Sequence, residues 1–203
     1  MSSNYRAIIS RNLERLFSSP PSNLASMLGG DEKGSGIVFK AFGKECCLSK
    51  ENIMLGGEPE WGPRGVIISL YSLGAHNDPL VLEPLKAFRE FPGSMPYQGA
   101  FSVNSEKVLI RHVPRIKKLA QAILDSFSGH EPPPDSGGDF SFVLYPLPKI
   151  ALVYIFYMPD EEFPASVSCL FSANALSFMP LDGLADVAEY TSKGILEIIS
   201  SSS

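Results

Sequence analysis

The longest uninterrupted apolar run of the chain is IALVYIFYM, residues 150–158. Its β-branched and aromatic residues are typical of strands. A strand that is apolar at every position has both faces covered, so this run predicts the central strand of a sheet. The run is less than half of the roughly 20 residues that a membrane-spanning helix needs. We therefore expect no membrane span.

Three further segments predict strands around this run. Residues 140–145 (FSFVLY) precede it, and residues 167–171 follow it. Residues 85–91 lie between prolines and also predict a short strand, which ends in a Pro-Gly turn. Residues 140–145 and 167–171 indicate a sheet together with residues 150–158, whereas the short strand at 85–91 is assigned to no sheet.

A hairpin is the clearest local motif and covers residues 37–49 (IVFKAFGKECCLS). Two apolar runs flank Gly43 and Lys44, and a two-residue loop that opens with glycine is typical of a type II′ turn. In the register that this turn implies, Phe42 lies opposite Glu45.

Helices are expected where apolar residues recur at three- and four-residue intervals. Pro63 suits a first helical position, and Gly74 suits the position after a last one. Pro114 should split a longer helix because proline lacks the N–H that an internal helical position needs. The predicted helices cover residues 4–18, 22–28 (with Ser22 as N-cap), 63–73, 103–127 and 180–199.

These elements predict an α+β fold: a single globular domain over residues 1–203, with a mixed or antiparallel sheet, a central apolar strand and several packed helices. A chain of 203 residues is long enough to bury a large core. At 44% hydrophobic and 19% charged residues, it is too apolar for intrinsic disorder. The last residues, 200–203, are expected to be a frayed tail.

The net charge and the cysteine content limit the possible binding partners and the possible cellular compartment. A net charge of −5 argues against nucleic acid as a partner. The only notable basic cluster, at residues 111–118, suits the solvated face of a helix. The start of the chain does not resemble a signal peptide. Cys46, Cys47 and Cys169 form no disulfide framework, which favours a cytoplasmic protein with small buried thiols.

The sequence lacks the stronger catalytic and nucleotide-binding motifs, including the P-loop, the dinucleotide fingerprint, the nucleophile elbow, HExxH and CxxC. The glycine-rich residues 29–36 follow a helix and precede a strand. That order is the reverse of the order in a phosphate-binding loop, so these residues predict a flexible connector. No motif identifies a reaction.

An acidic trio, Asp160, Glu161 and Glu162, directly follows the apolar strand. A carboxylate at such a strand end, beside apolar walls, would have a raised pKa and would serve as a base or a hard-metal ligand, with His76 as one candidate partner. The alternative, which we favour, is a solvated hairpin tip.

Aromatic residues in and around the proline-rich segment 79–100 offer a second candidate site. They would line a pocket for a flat ligand or, as we favour, pack into the core. The set comprises Trp61, Tyr71, Phe88, Phe91, Tyr97 and Phe101.

Six short stretches are similar to the bacterial and archaeal domain-of-unknown-function family DUF3786, over about residues 4–195. They are LASMLGG (24–30), FGKE (42–45), FREFPG (88–93), LPKI (147–150), DEEFPA (160–165) and LF (170–171). The resemblance implies a setting in anaerobes, where some members carry a Cys-rich iron–sulfur module before the domain. This chain has no such Cys-rich stretch, which weakens an iron–sulfur role.

The chain departs from the family pattern in two places. Ser172 stands where members tend to have an Asp, and only Asp182 remains of the acidic pair that often opens the last helix. No catalytic residues are established for the family, so the resemblance assigns none here.

Three functions remain open. The first is a non-catalytic ligand- or cofactor-binding domain linked to anaerobic redox or tetrapyrrole metabolism, with neither cofactor nor metal assigned. Alternatives are a protein-interaction domain that pairs through an edge strand such as residues 140–145, and a carboxylate- or metal-dependent enzyme. The expected ligand-binding residues are Asp160, Glu161, Glu162, Arg89, Trp61 and Tyr97.

Overall fold

The computed structural model describes residues 2–132 and 137–201. The chain begins with two helices, α1 (Ser2–Ser18) and α2 (Leu24–Leu28). The second helix starts after Asn23, so the expectation that Ser22 caps it is wrong. Gly29 ends it with φ 70°, and a Cβ at this position would lie 2.7 Å from Cβ of Pro148. Glycine is therefore required here both by conformation and by space.

A five-stranded antiparallel sheet follows, in which each strand pairs with the next along the chain. The expected flexible connector is partly wrong, because residues 31–33 form the first strand and pair with the second through a tight turn at Gly34. The strands are β1 (Asp31–Lys33), β2 (Gly36–Ala41), β3 (Lys44–Leu48), β4 (Ile53–Leu55) and β5 (Glu58–Pro59).

The β2–β3 hairpin exists, but its turn is one residue earlier than predicted. Ala41 pairs with Lys44, which leaves Phe42 and Gly43 as the loop, with φ values of 50° and 78°. Two positive φ values are characteristic of a type I′ turn rather than type II′. Phe42 adopts this unusual conformation because its ring is buried and its N–H donates to the carbonyl of Pro146 at 2.8 Å.

The middle of the chain is mainly helical. Helix α3 (Pro63–Leu73) has the predicted bounds. The predicted helix over 103–127 begins earlier and breaks at residues 111–112, just before Pro114. In chain order the remaining elements are β6 (Lys86–Ala87), a 3₁₀ turn (Phe88–Glu90), α4 (Gln98–Phe101), a π-helical segment (Ser102–Lys107), α5 (Val108–Ile110), α6 (Val113–Lys118) and α7 (Ala120–Ser126).

The second sheet contains the strands that decide the fold. It is antiparallel, with the order β6-β9-β8-β7, and is followed by two helices. These elements are β7 (Phe140–Leu147), β8 (Ile150–Tyr157), β9 (Ser166–Phe171), α8 (Ala175–Phe178) and α9 (Leu181–Ser201). Strand β8 lies inside the sheet, as predicted, and residues 150–154 are all buried. The α+β class is confirmed, with the strands divided between two antiparallel sheets.

Both faces of β8 are covered, which explains its continuous apolar run. Tyr154 and Phe156 face the main core beneath α9, while Val153 faces a smaller cluster under residues 80–85. The expected frayed tail is wrong for Ser200 and Ser201, which continue α9, and residues 202–203 lie outside the described residues. No helix in the described part of the chain is both long and apolar enough to cross a membrane.

Candidate functional site

The acidic trio lies in the exposed turn between β8 and β9. The Asp160 carboxylate accepts hydrogen bonds from the backbone N–H of Phe163 at 2.7 Å and of Glu162 at 2.8 Å. These two bonds stabilise the charged form and hold the pKa of Asp160 below its usual value. The expectation of a raised pKa at Asp160 is therefore wrong, and the exposure of residues 160–162 agrees with the favoured interpretation of a solvated hairpin tip. Asp160 also borders an open pocket of about 520 Å³ beside Phe163.

His76 lies at the opposite end of β8 from this turn. Its ring stacks on Phe178 with centroids 4.3 Å apart, and Lys149, in the β7–β8 turn, donates to its carbonyl at 2.7 Å. Because a strand rises about 3.3 Å per residue, the two ends of β8 are more than about 20 Å apart. The hypothesis that His76 forms an acid–base pair with Asp160 or Glu162 is therefore wrong, because these side chains are too far apart to share a proton.

Most of the expected aromatic set packs into the core, as the favoured interpretation predicted. The rings of Phe88 and Phe101 stack at 4.3 Å, and both contact Phe171. Phe91 joins this cluster, while Tyr71 is buried separately and donates to the carbonyl of Leu28. These buried rings leave no slot for a flat ligand among them.

The remaining expected ligand residues are dispersed over different elements. Trp61 is partly buried beneath the Arg6 guanidinium, which lies 4.5 Å from its ring centroid. Arg89 is exposed in the 3₁₀ turn. Tyr97, which is 43% exposed, precedes α4 and lines a recess described below. The structure thus brings one of these three residues to a cavity near α9.

The cysteines are free thiols. Cys46 and Cys169 are buried, as predicted, and Cys47 is partly exposed. Burial raises the pKa of Cys46 to about 12, so its thiol is protonated and unreactive at neutral pH. Among the residues that the structure describes, no group of three or more His, Cys, Asp or Glu side chains is placed to hold a metal ion.

A groove that the sequence did not reveal runs between the π-helical segment with α5 on one side and α9 on the other. Its volume is about 640 Å³, within the range of roughly 300–1,000 Å³ that is typical of ligand sites. Apolar side chains form much of its surface, and polar groups border them. The lining residues are Val103, Asn104, Lys107, Val108, Ile110, Arg111, Glu189 and Lys193.

Two cations of this groove are not paired with acids. Lys193 binds Glu189 at 2.6 Å, and Asn104 donates to the other oxygen of that carboxylate at 2.8 Å. Lys107 and Arg111, in contrast, have no carboxylate partner within residues 2–132 and 137–201. They are one helical turn apart and border the apolar surface. This arrangement suits a ligand with an apolar body and a negative group.

A smaller recess of about 140 Å³ lies next to the groove and shares Asn104 and Glu189 with its lining. One wall is the first part of α9, which contributes Asp182 and Asp186, and the opposite wall includes Tyr97 and Ser105. The surrounding protein and the nearby carboxylates of Glu189 and Asp182 raise the pKa of Asp186. The groove therefore has a positive side and an acidic end.

Buried hydrogen bonds fix the segments that form these cavities. Ser192 of α9 donates to the carbonyl of Ser105 at 2.6 Å, and the hydroxyl of Tyr154 lies 2.9 Å from the Ser192 hydroxyl. Glu106 accepts the backbone N–H of Cys169 at 3.1 Å, on the side of β9 that faces away from β8. The π-helical segment is thus attached to both α9 and β9. Such segments are often found at functional sites.

The model of the family described as domain of unknown function (DUF3786) matches residues 20–193. The chain belongs to this family. Neither the curated proteins nor the solved structures provide a match.

The two departures from the DUF3786 pattern lie in different surroundings. Ser172 is buried at the end of β9, and its hydroxyl is 3.4 Å from the backbone nitrogen of Ala151. Asp182 lies on the recess of this DUF3786 protein. Its neighbours on the recess wall, Asp186 and Glu189, follow at intervals of four and three residues, which places all three on one helical face.

The spacing of these three acids is the one feature of the sequence of this DUF3786 protein that could have indicated the recess. Asp182, Asp186 and Glu189 share a face of a predicted helix, and Lys107 and Arg111 share a face of another. The sequence gives no sign that the two faces meet, because about 75 residues separate them. Of these residues only Arg111, as part of the basic cluster at 111–118, was predicted to lie on a solvated helix face.

The pH dependence of stability tests the electrostatics of the recess. The raised pKa of Asp186 means that its charge opposes folding above the folded-state pKa, whereas the effect is absent below the unfolded-state pKa near 4. Asp186→Asn should therefore raise the melting temperature at pH 7–8, with no gain below about pH 3.

Asp160→Asn is the matched control, with the opposite sign. The lowered pKa of Asp160 contributes stability above the unfolded-state pKa, and that contribution disappears as the pH falls through the folded-state value. Its substitution should lower the melting temperature at pH 7. Melting curves that shift in the same direction for both variants at pH 7 would contradict the assignment.

Proposed function

We propose that this DUF3786 domain is a non-catalytic binding domain and that its ligand is an organic molecule with an apolar body and an anionic group. The observation that supports this most strongly is the combination of the groove's apolar surface with Lys107 and Arg111 at its border. Burial of the ligand body supplies affinity, and the two cations orient the anionic group. The proposal moves the site from the acidic turn to the groove.

The link to anaerobic redox or tetrapyrrole metabolism is part of the same proposal. Its support is the family resemblance together with the chemistry of the groove, because a tetrapyrrole is a flat apolar ring with carboxylate side chains. The proposed compartment is the cytoplasm. The three free thiols support it, since disulfides are rare in reducing compartments.

Pairing through the β7 edge, on which the protein-interaction alternative depended, has less support. Val143 exchanges hydrogen bonds with His130 in both directions, at 2.9 and 3.0 Å. The next outward N–H, from Tyr145, donates to the carbonyl of Phe127 at 3.2 Å. A strand edge recruits a partner through free N–H and C=O groups, and here the chain itself occupies both groups of Val143 and the N–H of Tyr145.

The proposal is tested by fluorescence titration with metal-free protoporphyrin IX, which has two carboxylates and no metal to coordinate a side chain. We expect saturable binding to the wild-type protein. The double variant Lys107→Gln/Arg111→Gln should bind about tenfold more weakly, which corresponds to about 1.4 kcal/mol. The dimethyl ester of the porphyrin, which lacks the negative charges, should bind both proteins alike.

The control is Lys33→Gln/Lys50→Gln, which removes the same charge from exposed positions on the first-sheet side of the molecule. Its affinity for protoporphyrin should equal that of the wild type. Absence of saturable binding, or an equal loss in both double variants, would contradict the groove as the site.

A further inference from the structure

We propose that the recess at the end of the groove binds a cationic nitrogen group, a primary ammonium, carried by the ligand. The inference rests on the proposed function in that the recess adjoins the groove and shares Asn104 and Glu189 with its lining. It adds a ligand class: a molecule with an anionic group, an apolar body and an amine.

The first observation is unpaired negative charge. Of the three carboxylates on the recess wall, Glu189 is neutralised by Lys193 at 2.6 Å. Asp182 accepts only the N–H of Gly183, and neither Asp182 nor Asp186 has an ion-pair partner in the described part of the chain. A cationic group of a ligand would therefore meet two carboxylates, Asp182 and Asp186, that form no ion pair within the described part of the chain.

The second observation is independent of the acids. Ser105 is fully buried and lines the recess, yet its hydroxyl has no hydrogen-bond partner among the described residues. Leaving a buried polar group unsatisfied costs about 1–3 kcal/mol. Since the Ser105 carbonyl is already bound by Ser192, the hydroxyl is the group of this residue that still lacks a partner in the described part of the chain.

The shape of the recess favours an ammonium group over a bare metal ion. Residues 182, 186 and 189 are spaced along α9, which separates them by about 6 Å and about 10 Å along the helix axis. Among the described residues, these acids do not form a group of three ligands placed to hold a metal ion. An ammonium group has three N–H donors and reaches acceptors on opposite walls. A volume of about 140 Å³ admits this group with its adjoining methylenes.

The experiment uses monodansylcadaverine, a fluorescent apolar probe with a primary amine, and its N-acetyl derivative, which has the same body without the charge. We expect the amine to bind the wild-type protein at least tenfold more tightly than the acetylated probe. Asp182→Asn/Asp186→Asn should weaken amine binding about tenfold and leave the acetylated probe unaffected. Ser105→Ala should weaken amine binding severalfold.

The matched control is Glu161→Gln/Glu162→Gln, which removes the same charge from the exposed β8–β9 turn. It should bind the amine as the wild type does. Equal affinity for the two probes, no binding of either, or an equal loss in the two acidic double variants would overturn the recess as an ammonium site. Near-UV circular dichroism verifies that each variant is folded.

The two proposals fail separately. In one outcome, protoporphyrin binding does not depend on Lys107 and Arg111 while amine binding still requires the recess acids. That result would contradict the proposed anion-binding role of the two cations and would support the ammonium site in the recess. If protoporphyrin behaves as expected while the two dansyl probes bind alike, the groove stands and the ammonium subsite is overturned.

Discussion

Replacing Phe171 with alanine should lower the free energy of unfolding by about 3–5 kcal/mol, because the substitution opens a large cavity in a closely packed core. Phe171 is fully buried at the end of β9. Its ring centroid lies 5.5 Å from that of Phe91, 5.8 Å from Phe101 and 6.0 Å from Phe88. The cluster joins the 3₁₀ turn and α4 to the second sheet, so its loss affects several elements together.

Urea denaturation measures this loss, and Phe163→Ala provides the control. Phe163 is the same residue type at the β8–β9 turn, but it is 66% exposed, so its removal should cost less than about 0.5 kcal/mol. A cost below about 1 kcal/mol for Phe171→Ala would mean that the rings are loosely packed. The interpretation of the aromatic segment as a ligand pocket would then regain support.

The parts of the fold that follow from local pattern were predictable. The run at 150–158 indicated an internal strand because its β-branched and aromatic residues favour a strand, and a strand that is apolar at every position has both faces covered. Pro63 sets the start of α3 because its fixed φ suits the first helical position, and the helix ends at Leu73, directly before Gly74. These features depend on neighbours in the chain, which the sequence displays directly.

Other features depend on contacts between distant residues. The turn at Phe42 and Gly43 was displaced by one residue from the prediction because the Phe42 N–H bonds to Pro146, about 100 residues away. The division into two sheets was hidden for the same reason. Strand spacing along the chain indicates that strands exist, but not which of them share a ladder.

The candidate site was unpredictable on the same grounds. Asp160 was selected because it follows the apolar strand, yet its backbone hydrogen bonds make it a stable turn carboxylate. The residues of the recess become a site only when α9 packs against the π-helical segment. Two charged helical faces, each typical of a solvent-exposed surface, form a cavity where they meet.

The hydrogen bonds that hold these two faces together give the second large effect. Ser192→Ala should lower the free energy of unfolding by about 1–3 kcal/mol, because the carbonyl of Ser105 is left without its donor in a buried environment. Tyr154→Phe should cost a similar amount, since the Tyr154 hydroxyl is fully buried and lies 3.1 Å from the carbonyl of Ala188 and 2.9 Å from Ser192.

Because the two hydroxyls are in contact, the double variant should cost less than the sum of the single variants by at least about 0.5 kcal/mol. Ser201→Ala is the control on the same helix: its hydroxyl bonds the carbonyl of Glu197 in an exposed position, and its loss should cost less than about 0.5 kcal/mol. Strict additivity in urea denaturation would show that Tyr154 and Ser192 act independently. Coupling would instead show one buried network that fixes Ser105, and therefore the floor of the recess, relative to α9.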